Sequence, residues 1–177
     1  TEMLDVPGPV ETPPNGEIQS RYPTGEVKAV GLMVDGLREG AWVWYFQSGQ
    51  VWARGSYSNG CKQGRWTFWH ENDQKDSEGE YEAGRKIGPW TYWHSNGKLD
   101  SRGSYVDSQE EGPWTSWYED GTQEEDGFYT AGKRVGTWEF WTPDGCCRRE
   151  EFGEGNDREA ALDQESTAVR RDGPEPI

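Results

Sequence analysis

Two histidines, three cysteines and eleven tryptophans are the side chains best equipped for chemistry in this 177-residue chain. His70 and His94 stand 24 residues apart, a spacing that could place two imidazoles around a metal ion or make a contact that responds to protonation. Cys61 is isolated and Cys146 and Cys147 are adjacent, so the thiols supply neither a closed disulfide framework nor a C-x-x-C metal clamp, and free thiols are expected. No glycine-rich loop feeds a helix, which removes the usual phosphate cradle. Ser, Asp and Glu recur only at repeated positions, with no separate constellation for acid, base or nucleophile. The sequence therefore leads us to expect no enzyme, no cofactor and no metal site. What remains is a row of rings, Tyr45, Trp69, Trp93, Trp117 and Trp141, again 24 residues apart, with Asp76, Asp100 and Glu124 recurring beside it. Such a row binds by stacking and apolar contact rather than by making bonds.

A constant spacing of 24 must come from the elements that carry these residues. Five complete units begin at Gly16, Gly40, Gly64, Gly88 and Gly112, and a partial sixth begins at Gly136. Position 3 of the unit is Ile18 in the first and then Trp42, Trp66, Trp90, Trp114 and Trp138. Positions 9 and 10 include Asn96-Gly97 and Asp120-Gly121, and positions 20 and 21 include Asp35-Gly36 and Asn59-Gly60. These dipeptides close tight hairpins, so each unit reads as two strands and two turns. The fold class expected is all-β: one elongated antiparallel meander of stacked β-hairpins, twisted or coiled. If positions 9 and 10 form a two-residue loop, Trp90 faces Gly103, Tyr92 faces Ser101 and His94 faces Leu99. A ring over a glycine covers bare backbone. The second turn should displace each unit by two residues, roughly 7 Å along the strands, so that the sheet shears steadily. Because positions 3, 5 and 7 share one face, the rings at position 6 should lie on the other. A bulge after position 5 that turns them inward, or packing of both faces in a tightly coiled sheet, is the alternative.

Composition agrees with a thin sheet. Hydrophobic residues make up only 31% and there are 24 glycines, too lean for a sandwich with aliphatic layers. Aromatic burial must replace them. Residues 1–15 form a Pro-rich acidic arm, and residues 153–177 an acidic tail in which 157–169 could form a marginal helix capped by Asn156. The repeat array occupies 16–152. Net charge is −15, with −3 from residues 1–15 and −4 from 153–177, which argues against nucleic acid and anionic membrane and for a basic or neutral partner. No apolar run approaches membrane-span length and no signal peptide is visible. The sequence does not fix the location: cytoplasmic or, if Thr1 is a processed N-terminus, secreted or cell-envelope.

The combination Gly88-Pro89-Trp90, Trp93, Asn96-Gly97, Gly103-Ser104-Tyr105 and Gly132-Lys133 resembles the MORN repeat, and most closely the bacterial variant described as antitoxin-like. The resemblance covers Gly16 to Phe152. It implies stacked hairpins used as protein-interaction scaffolds, some proposed as antitoxin or immunity partners and others as lipid binders, and it transfers no catalytic residue. Three readings follow. The first is a scaffold whose aromatic row and acidic rim dock a basic protein, in the manner of an antitoxin. The second is a homo-oligomer or extracellular filament built head to tail through the open sheet edges. The third is a carbohydrate- or choline-type wall-binding module.

Overall fold

In a computed structural model the structure is described for residues 15–153; the arm at 1–14, the tail at 154–177 and the helix expected within it lie outside the described residues. Twelve strands make up one sheet: β1 (Gly16–Arg21), β2 (Val27–Val34), β3 (Leu37–Tyr45), β4 (Val51–Ser58), β5 (Cys61–Trp69), β6 (Lys75–Glu82), β7 (Arg85–Trp93), β8 (Leu99–Val106), β9 (Gln109–Trp117), β10 (Gln123–Thr130), β11 (Lys133–Trp141) and β12 (Cys147–Phe152). Each strand pairs antiparallel with its sequence neighbours in the order β1 to β12, and the meander stays open rather than closing into a barrel.

The two turns differ in kind. At the second, both central residues lie at positive φ, as in Asp35 (φ 49) with Gly36 (φ 78) and Ala83 (φ 47) with Gly84 (φ 81), the mirror-image turn that suits a twisted hairpin. The first turn corrects the sequence expectation. Gly97 lies at φ 81 while Asn96 does not, Gly97 N–H donates to His94 O at 2.9 Å, and His94 N–H donates to Lys98 O at 2.9 Å. The loop therefore has three residues, 95–97, and ends in a glycine bulge. Asp100 is skipped, Trp93 rather than His94 pairs with Leu99, and the Tyr92–Ser101 and Trp90–Gly103 pairs stand as expected.

The expected shear does not accumulate either. After the second turn Leu32 pairs with Glu39 but Gly31 pairs with Trp42, so Gly40 and Ala41 bulge out together. That two-residue bulge cancels the two-residue displacement, and it recurs in β5, β7, β9 and β11. Gly40 sits there at φ +66 with open space around its Cβ position, so conformation rather than crowding selects the glycine that opens each unit. As a result Trp and Gly alternate in a straight row across the sheet, through pairs such as Gly31–Trp42, Trp42–Gly55, Trp66–Gly79 and Trp90–Gly103.

This row is the core. Each Trp ring lies down on the glycine of the preceding unit rather than on its own hairpin partner: a Cβ on Gly55 would stand 2.1 Å from Trp66, and one on Gly79 would stand 2.3 Å from Trp90. The indole N–H then donates to a carbonyl beside the bulge, Trp42 to Leu32 O and Trp66 to Ser56 O, both at 3.1 Å. Tyr57, Tyr81, Tyr105 and Tyr129 stand edge-on between successive Trp rings, with centroids 5.1 Å apart for Tyr57–Trp66 and 4.9 Å for Tyr129–Trp138. Over this stack lie cations. Lys62 Nζ is 5.2 Å from the Trp66 ring, Lys86 Nζ is 4.7 Å from Trp90, and the Arg134 guanidinium is 4.3 Å from Trp138. Their aliphatic stems and charges cover a face that has no second layer among the described residues.

Candidate functional site

Tyr45, Trp69, Trp93, Trp117 and Trp141 are the last residues of β3, β5, β7, β9 and β11. All five are half-buried and none belongs to the aromatic core. A bulge does follow position 5, but it shifts the partner strand and leaves the rings outside the core cluster. They form a row along one loop edge of the sheet, and because the units do not shear, the row is in line.

Cations lie over three of these rings, which the sequence reading did not anticipate. The Arg54 guanidinium lies 5.9 Å from the Trp69 ring, Lys75 Nζ lies 5.0 Å from Trp93, and the Arg102 guanidinium lies 5.4 Å from Trp117. Arg54 and Arg102 share position 15 of the unit, and a basic residue recurring there on a polar face was the signal available. Glu78 occupies the same position in unit three. It accepts from Arg65 at 2.8 Å and from Lys75 at 3.0 Å. Burial pushes its carboxyl up, but the bonds and charges of Lys75 and Arg65 outweigh that and hold it below its ordinary value.

The acidic candidates are less free than a binding rim requires. Asp76, Asp100 and Glu124 are the residues skipped at the bulges of β6, β8 and β10. Asp76 Oδ1 lies 3.4 Å from His70 Nδ1 and Asp100 Oδ2 lies 3.5 Å from His94 Nδ1. Glu124 accepts from Ser116 Oγ at 3.3 Å. They brace the loop edge as much as they face outward.

The histidines belong to that bracing. His70 Nε2 donates to Trp93 O at 2.8 Å and His94 Nε2 to Trp117 O at 2.7 Å, each bonding the following unit. Tyr22 and Tyr118 place their hydroxyls on the equivalent carbonyls of Tyr45 and Trp141, at 2.8 and 2.7 Å. One slot thus accepts either residue type because both offer a hydrogen on a ring at the same reach. Burial, and then the charges of Glu124, Glu125 and Asp120, raise the Tyr118 phenol above its ordinary value, so it remains a donor. Among the described residues no group of three or more metal-ligating side chains comes together. Cys61, Cys146 and Cys147 are exposed free thiols.

The hairpins β3–β4, β5–β6 and β7–β8 coincide with three successive matches to a family model described as the MORN repeat variant, at residues 38–59, 62–83 and 86–107. Over residues 38–107 the chain thus matches the MORN repeat variant three times in succession. MORN repeats are non-catalytic modules that bind proteins or membranes, and the hairpin, the Trp-over-Gly row and the two turns are their physical content here. No curated protein matches the chain. Among solved structures, one titled "Crystal structure of GtfA/B complex bound to UDP and GlcNAc" is similar at 13% identity and a TM-score of 0.26, over 64% of this chain. The match spans 22% of that chain.

Proposed function

We propose that the MORN array is a non-catalytic scaffold that holds a partner protein against the row Tyr45, Trp69, Trp93, Trp117 and Trp141. The observation that carries this reading is the row itself: five half-buried rings outside the core, repeated in line at each unit. Aromatic side chains bury large area at small entropic cost and dominate protein interfaces. Asp76, Asp100 and Glu124 lie at the same edge, and the chain's net charge of −15 favours a basic or neutral partner over nucleic acid or an anionic membrane. A toxin neutralised by an antitoxin is one partner of that description.

The filament reading has less support. Its joint would need the Trp-over-Gly row to continue from β12 of one copy into β1 of the next. The row starts instead at Ile18, paired with Gly31, and ends at Glu150, paired with Trp138. Choline-type wall-binding is weakened by the cations already lying over Trp69, Trp93 and Trp117, which occupy the ring faces a quaternary amine would take. The decisive experiment is capture of the partner by the full chain and by a Trp93→Ala/Trp117→Ala variant whose near-ultraviolet circular dichroism still reports the Trp66 and Trp90 core. Loss of capture is expected, and undiminished capture refutes this face.

A further inference from the structure

The aromatic row stops short at the first unit. Ile18 occupies the position that later units give to Trp, and Ser20 occupies the position of Trp44, Phe68 and Tyr92. The absent rings leave a groove of about 440 Å³ bounded by β1 and the rings of Trp42 and Trp44. That volume is in the range of small-molecule sites.

The lining has a definite chemistry. Ile18, Met33 and Leu37 are apolar, Trp42 and Trp44 are flat, and Arg21, Lys28 and Arg38 are cationic, with no carboxylate among the lining residues. This is unusual in a chain of net charge −15. Among the described residues none of the three cations pairs with a carboxylate. Arg21 donates to Gly25 O and Gln19 Oε1, both at 2.7 Å; Lys28 Nζ lies 5.9 Å from the Tyr22 ring; and the Arg38 guanidinium lies 4.9 Å from the Trp44 ring. Trp44 is only 3% exposed, and its indole N–H has no acceptor among the described residues. By contrast Trp42, Trp66, Trp90 and Trp138 all donate to a carbonyl. The ring of position 5 is missing once more, at Ser116, but there Glu124 bonds the serine and Glu110 takes the position of Arg38. Of the two places where that ring is missing, only the one at β1 is lined by cations without a carboxylate.

We infer that this groove binds a small organic anion, a flat aromatic body bearing a carboxylate. The body extends the ring row against Trp44, and the carboxylate meets Arg21 and Lys28. Charge complementarity and the ring-sized gap select this occupant together: a neutral aromatic would leave the cations unanswered, and a simple inorganic anion would leave the apolar wall wet.

The test uses the full chain with 15N-labelled tryptophan, titrated with 1-naphthylacetate and, separately, with neutral 1-naphthalenemethanol. The reporter is the indole N–H signal of Trp44, assigned through its contact with the Trp52 ring, whose centroid lies 6.4 Å away. The anion is expected to move that signal saturably at millimolar concentration and the alcohol to leave it in place. Lys28→Glu should weaken binding by about tenfold, the scale of one lost charge-assisted hydrogen bond, while its spectrum without ligand stays native. Arg21→Gln, on the rim away from the core, should weaken it in the same direction. An unmoved Trp44 signal, equal movement with the alcohol, or full affinity in both variants overturns the inference.

Discussion

Gly79 and Gly40 are both glycines of the repeat, but for unrelated reasons, and single substitutions separate them. A Cβ at Gly79 would stand 2.3 Å from the Trp90 ring, which is 1% exposed and has nowhere to retreat. Gly79→Ala is expected to cost about 3 kcal/mol, the upper range for overpacking, read as a fall in the urea midpoint. At Gly40 the space is open and φ is +66, so Gly40→Ala should cost only about 1–2 kcal/mol of left-handed strain, and Gly40→Asn less, because Asn tolerates that region. Equal losses at the two sites, or no relief with Asn, would contradict this division. The sequence displayed both glycines as regular columns. It did not say which was seat and which was hinge, since either role selects the residue without a side chain.

Between neighbouring units, the element-scale bond is the one at position 7. His94→Phe removes the Nε2–H that reaches Trp117 O at 2.7 Å and leaves a carbonyl unanswered, at a cost of about 1 kcal/mol. His94→Tyr should recover most of it, because Tyr118 makes the same bond to Trp141 O at 2.7 Å. Chemical denaturation of both variants at neutral pH checks this, and equal stability of the Phe and Tyr forms would show that the bond at position 7 does not couple neighbouring units. A second element-scale expectation concerns acid. Glu78 on β6 has its carboxyl held below the ordinary range, so the folded state binds a proton less readily than the unfolded chain. Its contribution is therefore present above the unfolded value of about 4.3 and is lost as pH falls through the folded value. Wild type should exceed Glu78→Gln by up to about 1 kcal/mol at neutral pH, its Arg65 partner being largely exposed, and the gap should close in strong acid. A gap that widens on acidification reverses the sign and refutes the assignment. The two-strand, two-turn unit and the Trp90–Gly103 pairing were readable from the dipeptides and the ring spacing. The first loop was misread because Asn96-Gly97 suits a two-residue mirror-image turn and a three-residue turn ending in a left-handed glycine equally well. Only the φ of Asn96 distinguishes them, and no side chain announces it.

For the whole molecule, the cancelled shear matters most. A displacement repeated at every second turn would have slid the units past one another; the bulge at Gly40 and its equivalents instead stacks them in line and makes one continuous ring row. That row invites a further copy, and the two end residues refuse it. Ile18 offers no indole to lie on another chain's glycine, and Glu150 puts a charged side chain where the glycine seat would be. Open sheet edges are commonly blunted by such polar or misfitting residues. The wild-type chain should therefore keep a single mass of about 20.2 kDa by light scattering across a wide concentration range. Ile18→Trp combined with Glu150→Gly rebuilds both halves of the missing joint, and this variant should show mass growing with concentration as β12 of one copy meets β1 of the next. Either change alone leaves half the joint absent and should stay monomeric. If wild type already grows with concentration, the ends are joints rather than caps and the filament reading returns. If the double variant stays monomeric as firmly as wild type, something other than these two residues closes the edges, and the Trp-over-Gly row is not what joins one unit to the next.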